Sequence, residues 1–372
     1  MTKRADQARS AATETRAPSS SAPETLAAAL SVYLGAGVRY LRVLASGWET
    51  TLYEFALSTP SARLPGVAGD IPLVLRTYPD AELASKGALE FRTIEHLARV
   101  GFPVPCPYLF EADSRAIGAP FLVIERLAGG PLFAIRSFPQ AFKTFSLGFL
   151  GFVRAQTRLH RMASAPAGLE ATPAGKPDTA ERAAARLLEK TLDTIAARIE
   201  QGPLPGLAAV LAHLRRGAAE FSDAPPAFLH LDYHPQNVLV KGMRVTGVID
   251  WAHAALGDRH FDAATTATIL STSAMEHPRW MRANAAGNNL RRTFNALYLA
   301  LYHASAPMDL RRLRYYQGVA GTLRLSMLEM MRARGPRSVG FQPGAISQVT
   351  PSVLRLLSRY VARKTGTPAS VI

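Results

Sequence analysis

The sequence predicts an α+β fold in which a small, β-rich first part precedes a larger and mainly helical second part. Up to about residue 128, short apolar and β-branched runs are separated by turn residues. From about residue 140 onward, apolar residues recur at helical intervals. After residue 140, the only sheet-like segment is a short hairpin at 238–249. We therefore predict one domain over 23–128 and a second over 129–372.

Length and composition support two folded parts. The chain has 372 residues, of which 48% are hydrophobic, which is enough to bury a substantial core. Residues 1–22 are rich in Ala, Ser, Thr and charge, and we predict a disordered tail there. The remaining elements are predicted as follows: a helix from Thr25 to about Leu34, two strands in 41–57 that turn at Ser46-Gly47, a strand at 71–76, a helix at 81–100, a strand at 120–127, and later helices near 149–162, from Asp178-Thr179, at 204–221 and at 261–270.

One stretch of eight residues is the most informative. His230–Asn237 reads His-Leu-Asp-Tyr-His-Pro-Gln-Asn and is followed by Gly-Val-Ile-Asp-Trp at 247–251. The interval from Asp232 to Asn237 matches the catalytic loop H-R-D-x-x-x-x-N of protein kinases, and a second acid, Asp250, follows. Phosphoryl transfer needs a group that orients the attacking hydroxyl and oxygens that carry a metal. These residues supply both.

The segments after the loop predict how the second acid reaches it. The runs 238–240 and 245–249 are rich in β-branched residues and are joined by a turn, which indicates a hairpin. Hairpin pairing brings Asn237 and Asp250 together. A carboxylate and an amide oxygen at one point suit Mg²⁺, a hard cation that prefers oxygen ligands. The alternative is a hairpin whose Asp and Asn are ordinary turn residues.

The segments His230–Asn237, Val248–Trp251 and Gly257–Asp262 resemble the aminoglycoside phosphotransferase family, with its choline-kinase and fructosamine-kinase relatives. The family pattern is H-x-D-x-x-x-x-N, then I-D-W, then G-D-x-x-x-D. This resemblance implies a two-lobed, protein-kinase-like fold that uses ATP and Mg²⁺. It divides the chain into an ATP-binding lobe at 23–128, a catalytic loop at 228–262 and an acceptor region at 263–372.

The resemblance also implies a role for each residue of the motif. Asp232 would be the catalytic base that takes the proton of the acceptor hydroxyl. His230 would brace the loop, with direct proton transfer as the alternative. The other residues are expected to hold the metal or to support the loop: Asn237 and Asp250 as metal ligands, Asp262 as a tether at a helix start, and Asp258 either in the site or as a turn cap.

An ATP lobe must precede the loop, and three upstream residues fit that requirement. Gly47 lies between two strands, where a backbone turn would cover the phosphates, although a single glycine replaces G-x-G-x-x-G. Arg76 ends a strand where kinases carry a phosphate-binding lysine, and arginine is not an equivalent of lysine. Glu90 shares an apolar helix face with Ile94 and Leu97, so we predict an ion pair with Arg76. The alternative is an exposed strand-end arginine.

The hinge between the lobes is predicted where the strand at 120–127 meets the break at 128–131, Ala-Gly-Gly-Pro. Backbone groups from Glu125 to Leu127 would meet the adenine. An ordinary strand and turn is the alternative. The place of this segment in the chain, ahead of the catalytic loop, favours the hinge.

Positive charge is concentrated towards the C-terminus. Of a formal net charge of +15, residues 271–372 contribute +12 and residues 1–270 contribute +3. A pocket for a polycationic aminoglycoside should concentrate carboxylates, whereas this region contains Glu276, Asp309 and Glu329. We therefore predict a neutral or anionic small-molecule hydroxyl acceptor. An aminoglycoside-type or choline-type substrate is the alternative.

Two groups of side chains in this region are candidates for acceptor contacts. Arg311, Arg312 and Arg314 form the densest basic cluster and are the first candidates for an anion contact, although most arginines here are expected on a solvated face. Five aromatic residues offer a cage for choline, but their helical spacing favours the core: Trp280, Tyr298, Tyr302, Tyr315 and Tyr316.

Other features bear on location and partners. Cys106 is the single cysteine, so an internal disulfide is excluded. The N-terminus lacks the apolar core of a signal peptide, and no stretch approaches 18 uninterrupted apolar residues. These features predict a cytoplasmic protein without membrane insertion. Although the sequence pI is about 10.3, nucleic-acid binding is disfavoured because no zinc finger, RNP-type motif or Lys-rich block occurs.

The leading prediction is a small-molecule kinase that transfers the γ-phosphoryl group of ATP to a hydroxyl. The alternative is a nucleotide-binding pseudokinase or scaffold, suggested by Arg76 and by the degenerate glycine turn at Gly47. The complete set of Asp232, Asn237 and Asp250 favours an enzyme.

Overall fold

The computed structural model describes residues 23–47, 49–133, 148–162, 182–221, 223–272 and 285–369. It has the predicted α+β architecture, with a small β-rich N-terminal lobe and a larger, mainly helical C-terminal lobe. The division at residue 128 stays a prediction. The predicted tail at 1–22 lies outside the described residues.

A five-stranded antiparallel sheet forms the N-terminal lobe, in the order β1-β2-β3-β5-β4. The central strands are rich in Val, Leu and Phe because both of their faces are covered. The strands have these bounds: β1 (Val38–Ser46), β2 (Thr51–Leu57), β3 (Leu73–Thr77), β4 (Pro107–Glu111) and β5 (Phe121–Glu125).

Two helices cover opposite faces of this sheet. Helix α1 (Pro23–Leu34) packs its buried leucines against the face that includes Val123. Helix α2 (Ala81–Arg99) lies on the other face, where Leu83 packs against Leu122. Successive side chains of a strand point to opposite faces, which explains why these two neighbours in β5 belong to different clusters.

Helix α2 also connects the two lobes. It begins at the N-cap Asp80, whose side chain accepts a hydrogen bond of 2.8 Å from the Leu83 amide. The predicted apolar face is buried, including Glu90 at 1% exposure. At the other end of the helix, Ile94 and Leu97 belong to the core of the C-terminal lobe. Glu90 is therefore held between the two lobes.

Helices pack around the main core of the C-terminal lobe, and α6 (Arg259–Thr272) runs through its interior. Between His260 and Leu270, every residue except Thr265 is buried. The Ala and Thr residues of α6 are small, so neighbouring helices can approach it closely. None of the helices in the described ranges is long and apolar enough to cross a bilayer. The helices are α3 (Phe149–Leu159), α4 (Ala183–Gln201), α5 (Ala208–Gly217), α6 (Arg259–Thr272), α7 (Ala285–Ser305), α8 (Leu310–Arg334) and α9 (Pro351–Thr365).

Two small sheets carry the loop region. Strands β6 (Gly130–Pro131), β8 (Val238–Lys241) and β9 (Arg244–Val248) form one sheet, in which β8 and β9 are the predicted hairpin. Strands β7 (Ala227–Leu229) and β10 (Ala255–Gly257) form the other. Strand β10 was not predicted, because three residues are too few to show a sequence period.

The predicted helices of the C-terminal lobe differ from the structure in one place. The segment 204–221 is not one helix, because 3-10 turns at Pro205–Leu207 and Ala218–Phe221 flank α5. Gly206 in the first of these turns has a low helix propensity, which disfavours a regular α-helix at this point. The predicted helix start at 178–179 lies outside the described residues.

Gly87 in α2 should resist substitution although it lies within a helix. A Cβ atom there would lie 2.6 Å from Tyr78 Cζ and 2.9 Å from Phe110 Cε2. Alanine favours a helix by about 1 kcal/mol over glycine, but the clash should outweigh this gain. We expect Gly87→Ala to lower the free energy of unfolding, measured with urea, by about 1–3 kcal/mol. Arg92→Ala, at an exposed position of the same helix, should change it by less than about 0.5 kcal/mol. A more stable Gly87→Ala would contradict the packing.

Candidate active site

One buried carboxylate holds the catalytic loop. Asp262, in the first turn of α6, is fully buried, and its Oδ1 accepts a hydrogen bond of 2.6 Å from the Leu231 amide. Its Oδ2 accepts hydrogen bonds from Gln156 Nε2 at 3.0 Å and from His160 Nε2 at 2.8 Å. Burial raises the pKa of Asp262, but these partners, His160 first, lower it more, so it lies below its ordinary value. The loop is therefore anchored on an ionised group.

The backbone on both sides of the site is strained. Leu231 and Asp250 have left-handed φ angles of 61° and 68°. This region costs a non-glycine residue roughly 1–2 kcal/mol, somewhat less for Asp. Among the described residues, Asp70 in the 57–73 connection is the only other non-glycine residue with positive φ. Strain of this kind persists where surrounding contacts hold it, as Asp262 holds Leu231.

His230 lies behind the loop with its ring fully buried. Its Nε2 lies 3.0 Å from the Ile249 carbonyl oxygen, and its Nδ1 accepts a hydrogen bond of 3.2 Å from the Asp232 amide. Because Nδ1 accepts, the ring proton lies on Nε2, and burial lowers the pKa of His230 below its ordinary value. Trp251 packs against the ring at a centroid distance of 4.4 Å. These contacts support the bracing role over proton transfer.

Asp232 is the accessible acid of the loop, with a side chain that is 31% exposed. Its Oδ2 accepts a hydrogen bond of 3.0 Å from Asn237 Nδ2 and lies 3.5 Å from His234 Nε2. Burial raises the pKa of Asp232, but the histidines around it, His234 first, lower it more. Its pKa therefore lies well below the ordinary value, and Asp232 is ionised at neutral pH.

The hairpin brings Asn237 and Asp250 to the same end of β8 and β9. The Ile249 amide donates a hydrogen bond of 2.9 Å to the Asn237 carbonyl oxygen. The side-chain amide of Asn237 donates to both the carbonyl and the carboxylate of Asp232, at 3.0 Å each. These contacts orient the Asn237 side chain, whose remaining oxygen, Oδ1, is a suitable metal ligand. The Asp250 side chain is 34% exposed.

Arg76 connects these groups to the N-terminal lobe. Its Nη1 donates to both oxygens of Glu90, at 2.6 and 2.8 Å, and its Nη2 donates to Asp250 Oδ1 at 2.9 Å. Its Nε donates to Thr50 Oγ1 at 2.9 Å. The predicted contact between Arg76 and Glu90 is thus present, and the structure adds Asp250 and Thr50. The Arg76 side chain is 11% exposed, so these contacts are largely shielded from water.

Glu90 would be costly to bury without its partners. Besides Arg76, the Tyr78 hydroxyl donates to its Oε2 at 3.2 Å, and the Trp251 amide donates to its Oε1 at 3.4 Å. Glu95, on the other side of the helix, is exposed. This contrast agrees with the sequence pattern, which placed only Glu90 on the apolar face.

The turn between β1 and β2 is closed by Gly47, whose amide donates to the Thr50 carbonyl oxygen at 2.9 Å. A Cβ atom on Gly47 would lie 3.3 Å from that oxygen, so the tight turn favours glycine. Lys86 of α2 pairs with Glu49 in the turn at 2.9 Å. Thr50 is buried, with 4% exposure, and sequence reasoning missed it because a lone threonine matches no motif.

The connection between the lobes begins at Glu125, where β5 ends two residues earlier than predicted. The Glu125 amide donates to the Cys106 carbonyl at 2.8 Å, and its Oε2 accepts from the Cys106 amide at 3.1 Å. Leu127 lies against Gly247 of β9, where an added Cβ would come within 2.2 Å of Leu127 Cδ1. Glu125 and Leu127 thus lie between the five-stranded sheet and the β8–β9 hairpin.

Asp258 supports the start of α6. Its Oδ1 accepts hydrogen bonds from the His260 amide at 2.8 Å and from His260 Nδ1 at 2.6 Å, while its Oδ2 accepts from Arg312 Nη1 at 3.0 Å. Burial raises the pKa of Asp258, but His260 and Arg312 lower it more, so it lies below its ordinary value. Of the two roles left open by the sequence, these contacts favour the cap.

The basic cluster on α8 has partners within the chain. Arg312 also pairs with Asp223 at 2.7 Å, and Arg311 pairs with Glu220 at 2.5 Å. Arg314 donates to the carbonyl oxygens of residues 363 and 364 near the end of α9. A sequence cluster does not reveal that acidic groups elsewhere in the chain meet Arg311 and Arg312, and the anion contact stays a prediction.

The tyrosines of α7 and α8 lie in the core, as their helical spacing favoured. Tyr298 and Tyr302 are fully buried, and their hydroxyl groups meet Gln156 Oε1 and His160 Nδ1, at 2.7 and 2.5 Å. They therefore support the partners of Asp262. Tyr315 and Tyr316 of α8 are also buried. Trp280 and Glu276 lie outside the described residues.

A β-rich lobe, a helical lobe and an Asp, Asn, Asp set at the base of a hairpin define a kinase-like phosphotransferase. A model of the phosphotransferase enzyme family that includes the aminoglycoside phosphotransferases matches residues 41–308. The chain belongs to this family. It is a small-molecule kinase.

Individual relatives and solved structures are similar to this chain. A homoserine kinase from Methylocella silvestris is 29% identical over 248 residues, which cover 64% of this chain and 67% of the relative. A putative aminoglycoside phosphotransferase from Ralstonia eutropha has a TM-score of 0.57 at 17% identity, over 91% of this chain and 98% of that chain. A thermostable mutant of aminoglycoside phosphotransferase APH(4)-Ia, in a ternary complex with ADP and hygromycin B, has a TM-score of 0.58 at 18% identity, with the same coverage. At these identities the two solved structures show a shared fold.

Acid should destabilise the protein through the carboxylates of the site. Asp232, Asp250 and Asp262 all have pKa values below the ordinary value. A lowered folded-state pKa adds stability above the unfolded value of about 3.9, and this stability is lost as the pH falls through the folded value. We therefore expect the free energy of unfolding, measured with urea, to decrease below about pH 4.5.

Asp262→Asn provides the comparison. It should lower the free energy of unfolding at pH 7 by about 3 kcal/mol, because it breaks a buried charged network. It should also show a smaller decrease than wild type between pH 4.5 and 3. An equal acid dependence in the two proteins would contradict the lowered pKa of Asp262.

Proposed function

We propose that this protein transfers the γ-phosphoryl group of ATP to a hydroxyl of a neutral or anionic small molecule, with Mg²⁺ as the metal. One observation carries the proposal: an ionised Asp232, the Asn237 amide and Asp250 converge at the base of one hairpin, next to Arg76. These are the parts that phosphoryl transfer requires of a protein.

Asp232 acts as the catalytic base. Its carboxylate accepts a hydrogen bond from the acceptor hydroxyl and takes the proton as the new oxygen–phosphorus bond forms. The bond between the γ-phosphorus and the β-phosphate oxygen breaks, and ADP leaves with the electron pair. Asn237 supports this step because its Nδ2 holds Asp232 Oδ2 at 3.0 Å.

Asn237 and Asp250 are the residues that fit Mg²⁺. Nδ2 of Asn237 is used by Asp232, which leaves the amide oxygen for a cation. Arg76 contacts Oδ1 of Asp250, which leaves the second carboxylate oxygen. Two protein ligands suit Mg²⁺, which keeps water and phosphate oxygens in its other positions. In the ranges described above, no group of three or more His, Cys, Asp or Glu forms a closed metal site. The bound metal would neutralise charge on the phosphates.

The nucleotide lies between the lobes. The turn at Gly47 covers its phosphates, Arg76 contacts them, and Glu90 holds Arg76 in place by two hydrogen bonds. The adenine meets the backbone from Glu125 to Leu127. The position of these groups around Asp250 supports this arrangement, and so does the family to which the chain belongs.

The acceptor is neutral or anionic because the acceptor region offers few carboxylates to a polycation. Residues 271–372 carry a net charge of +12. Asp309 is used as the N-cap of α8, and Glu329 is buried and pairs with Arg332 at 2.7 Å. Homoserine, the substrate named for the Methylocella relative, has a hydroxyl and no net charge, so it is the first compound to screen. Aminoglycosides are the second class, because the solved neighbours include enzymes named for them.

Asp232→Asn should abolish turnover while nucleotide binding persists. The asparagine keeps the shape of the side chain but cannot take the proton, so we expect a loss of about 10²–10⁴-fold in kcat. ADP release in the presence of homoserine, other neutral hydroxyl compounds, anionic hydroxyl compounds and hygromycin B measures this. Asp193→Asn, on the exposed face of α4, is the matched control. Normal turnover by Asp232→Asn would exclude this residue as the base.

Asp250→Ala should remove the dependence of nucleotide binding on Mg²⁺. ATP should raise the melting temperature of the wild type more with Mg²⁺ than with EDTA, since Asp250 would hold the metal that accompanies the nucleotide. The variant should show no such difference, and Asp193→Ala should behave as wild type. If ATP with Mg²⁺ fails to stabilise the wild type at millimolar concentration, the kinase proposal is wrong. The alternative of a nucleotide-binding scaffold is then wrong as well.

A further inference from the structure

Thr50 contacts Nε of Arg76, a donor within the side chain that has no counterpart in lysine. The Arg76 Nε donates a hydrogen bond of 2.9 Å to Thr50 Oγ1, and the threonine is 4% exposed. The terminal nitrogens of the guanidinium also donate hydrogen bonds, Nη1 to Glu90 and Nη2 to Asp250. Each nitrogen of the guanidinium therefore has its own partner.

We propose that Thr50 is a positioning residue that allows an arginine to replace the usual lysine as the phosphate-binding cation. The proposal rests on the proposed role of Arg76 in nucleotide binding. Contacts at Nε and Nη1 define the plane of a rigid guanidinium, so they also fix the direction of Nη2. Nη2 carries two N–H groups, one of which points to Asp250, and the other is the donor for a phosphate oxygen.

A lysine at position 76 would not make the hydrogen bond that Arg76 Nε donates to Thr50. Its ammonium is a single nitrogen at the end of a flexible chain, with no donor at the place of Nε. The buried hydroxyl of Thr50 would then lose its charged partner. Thr50 therefore requires the Nε donor of an arginine at position 76, and another positively charged side chain would not replace it.

Thr50 also belongs to the turn that covers the phosphates. Its carbonyl oxygen accepts the hydrogen bond from Gly47 that closes the turn. Because threonine is β-branched, few χ1 rotamers are available to it, which holds the hydroxyl in a defined place relative to this backbone. One residue thus sets the position of both the turn and the guanidinium.

The test is the affinity for Mg·ADP, measured by calorimetry on the full chain. Thr50→Val removes the hydroxyl with little change in shape and should weaken binding about tenfold, the value of one hydrogen bond to a charged group. Thr50→Ser keeps the hydroxyl and should bind within about twofold of wild type. Thr77→Val is the matched control, since its hydroxyl lies 3.4 Å from the Thr51 carbonyl and does not contact Arg76. Thermal unfolding of each variant checks that it folds.

A double-mutant cycle with Arg76→Lys separates positioning from general support of the turn. In the lysine background, Thr50→Val should cause no further loss, because the Nε donor is already gone. An equal tenfold loss in both backgrounds would mean that Thr50 acts without the arginine, and this would overturn the proposal. So would unchanged binding by Thr50→Val in the wild-type background.

The failure of this inference differs from the failure of the proposed function. If wild type does not bind Mg·ADP, the nucleotide site is wrong, and the role of Thr50 is wrong with it. If wild type binds and Asp232→Asn loses turnover, but Thr50→Val binds normally, only the positioning role is excluded.

Discussion

The site depends on a single guanidinium that joins three distant parts of the chain. Arg76 of β3 donates hydrogen bonds to Glu90 of α2 and to Asp250, the second residue after β9. Asp250 lies 174 residues from Arg76 in sequence. Glu90 is almost fully buried, and the removal of one partner from a buried ion pair typically costs 3–5 kcal/mol. The lobes are therefore coupled through the same charges that would contact the nucleotide and its metal.

A second buried carboxylate, that of Asp262, joins separate segments within the C-terminal lobe. Asp262 holds the strained backbone of Leu231 on one side and is held by Gln156 and His160 on the other. Tyr298 and Tyr302 in turn fix those two partners. Tyr298 and Tyr302, which the sequence offered as candidates for a choline cage, thus support the catalytic loop. Asp232 consequently projects from a loop that buried contacts hold in place, although its own side chain is partly accessible.

Local patterns were sufficient where one period or one interval defined the structure. The hairpin was predictable because β-branched runs flank a turn, and the place of Asn237 beside Asp250 followed from its pairing. Glu90 was predictable because a carboxylate on an apolar face requires a cation. The prediction of one helix over 204–221 was wrong because 3-10 turns interrupt this segment. Strand β10 was not predicted because three residues are too few to show a period. The acidic partners of Arg312 were not predictable, because Asp223 and Asp258 approach it only in the folded chain.

The sequence by itself determined the class of protein, since the spacing of Asp232, Asn237 and Asp250 defines a phosphoryl-transfer loop and the loop chemistry requires that spacing. It also determined the alternation of strands and helices, because burial of apolar side chains imposes a period on the chain. Only the tertiary structure decided which nitrogen of Arg76 faces which partner, and that Thr50 is one of them. Such contacts join residues with no common pattern, because they depend on where separate elements come to lie after packing.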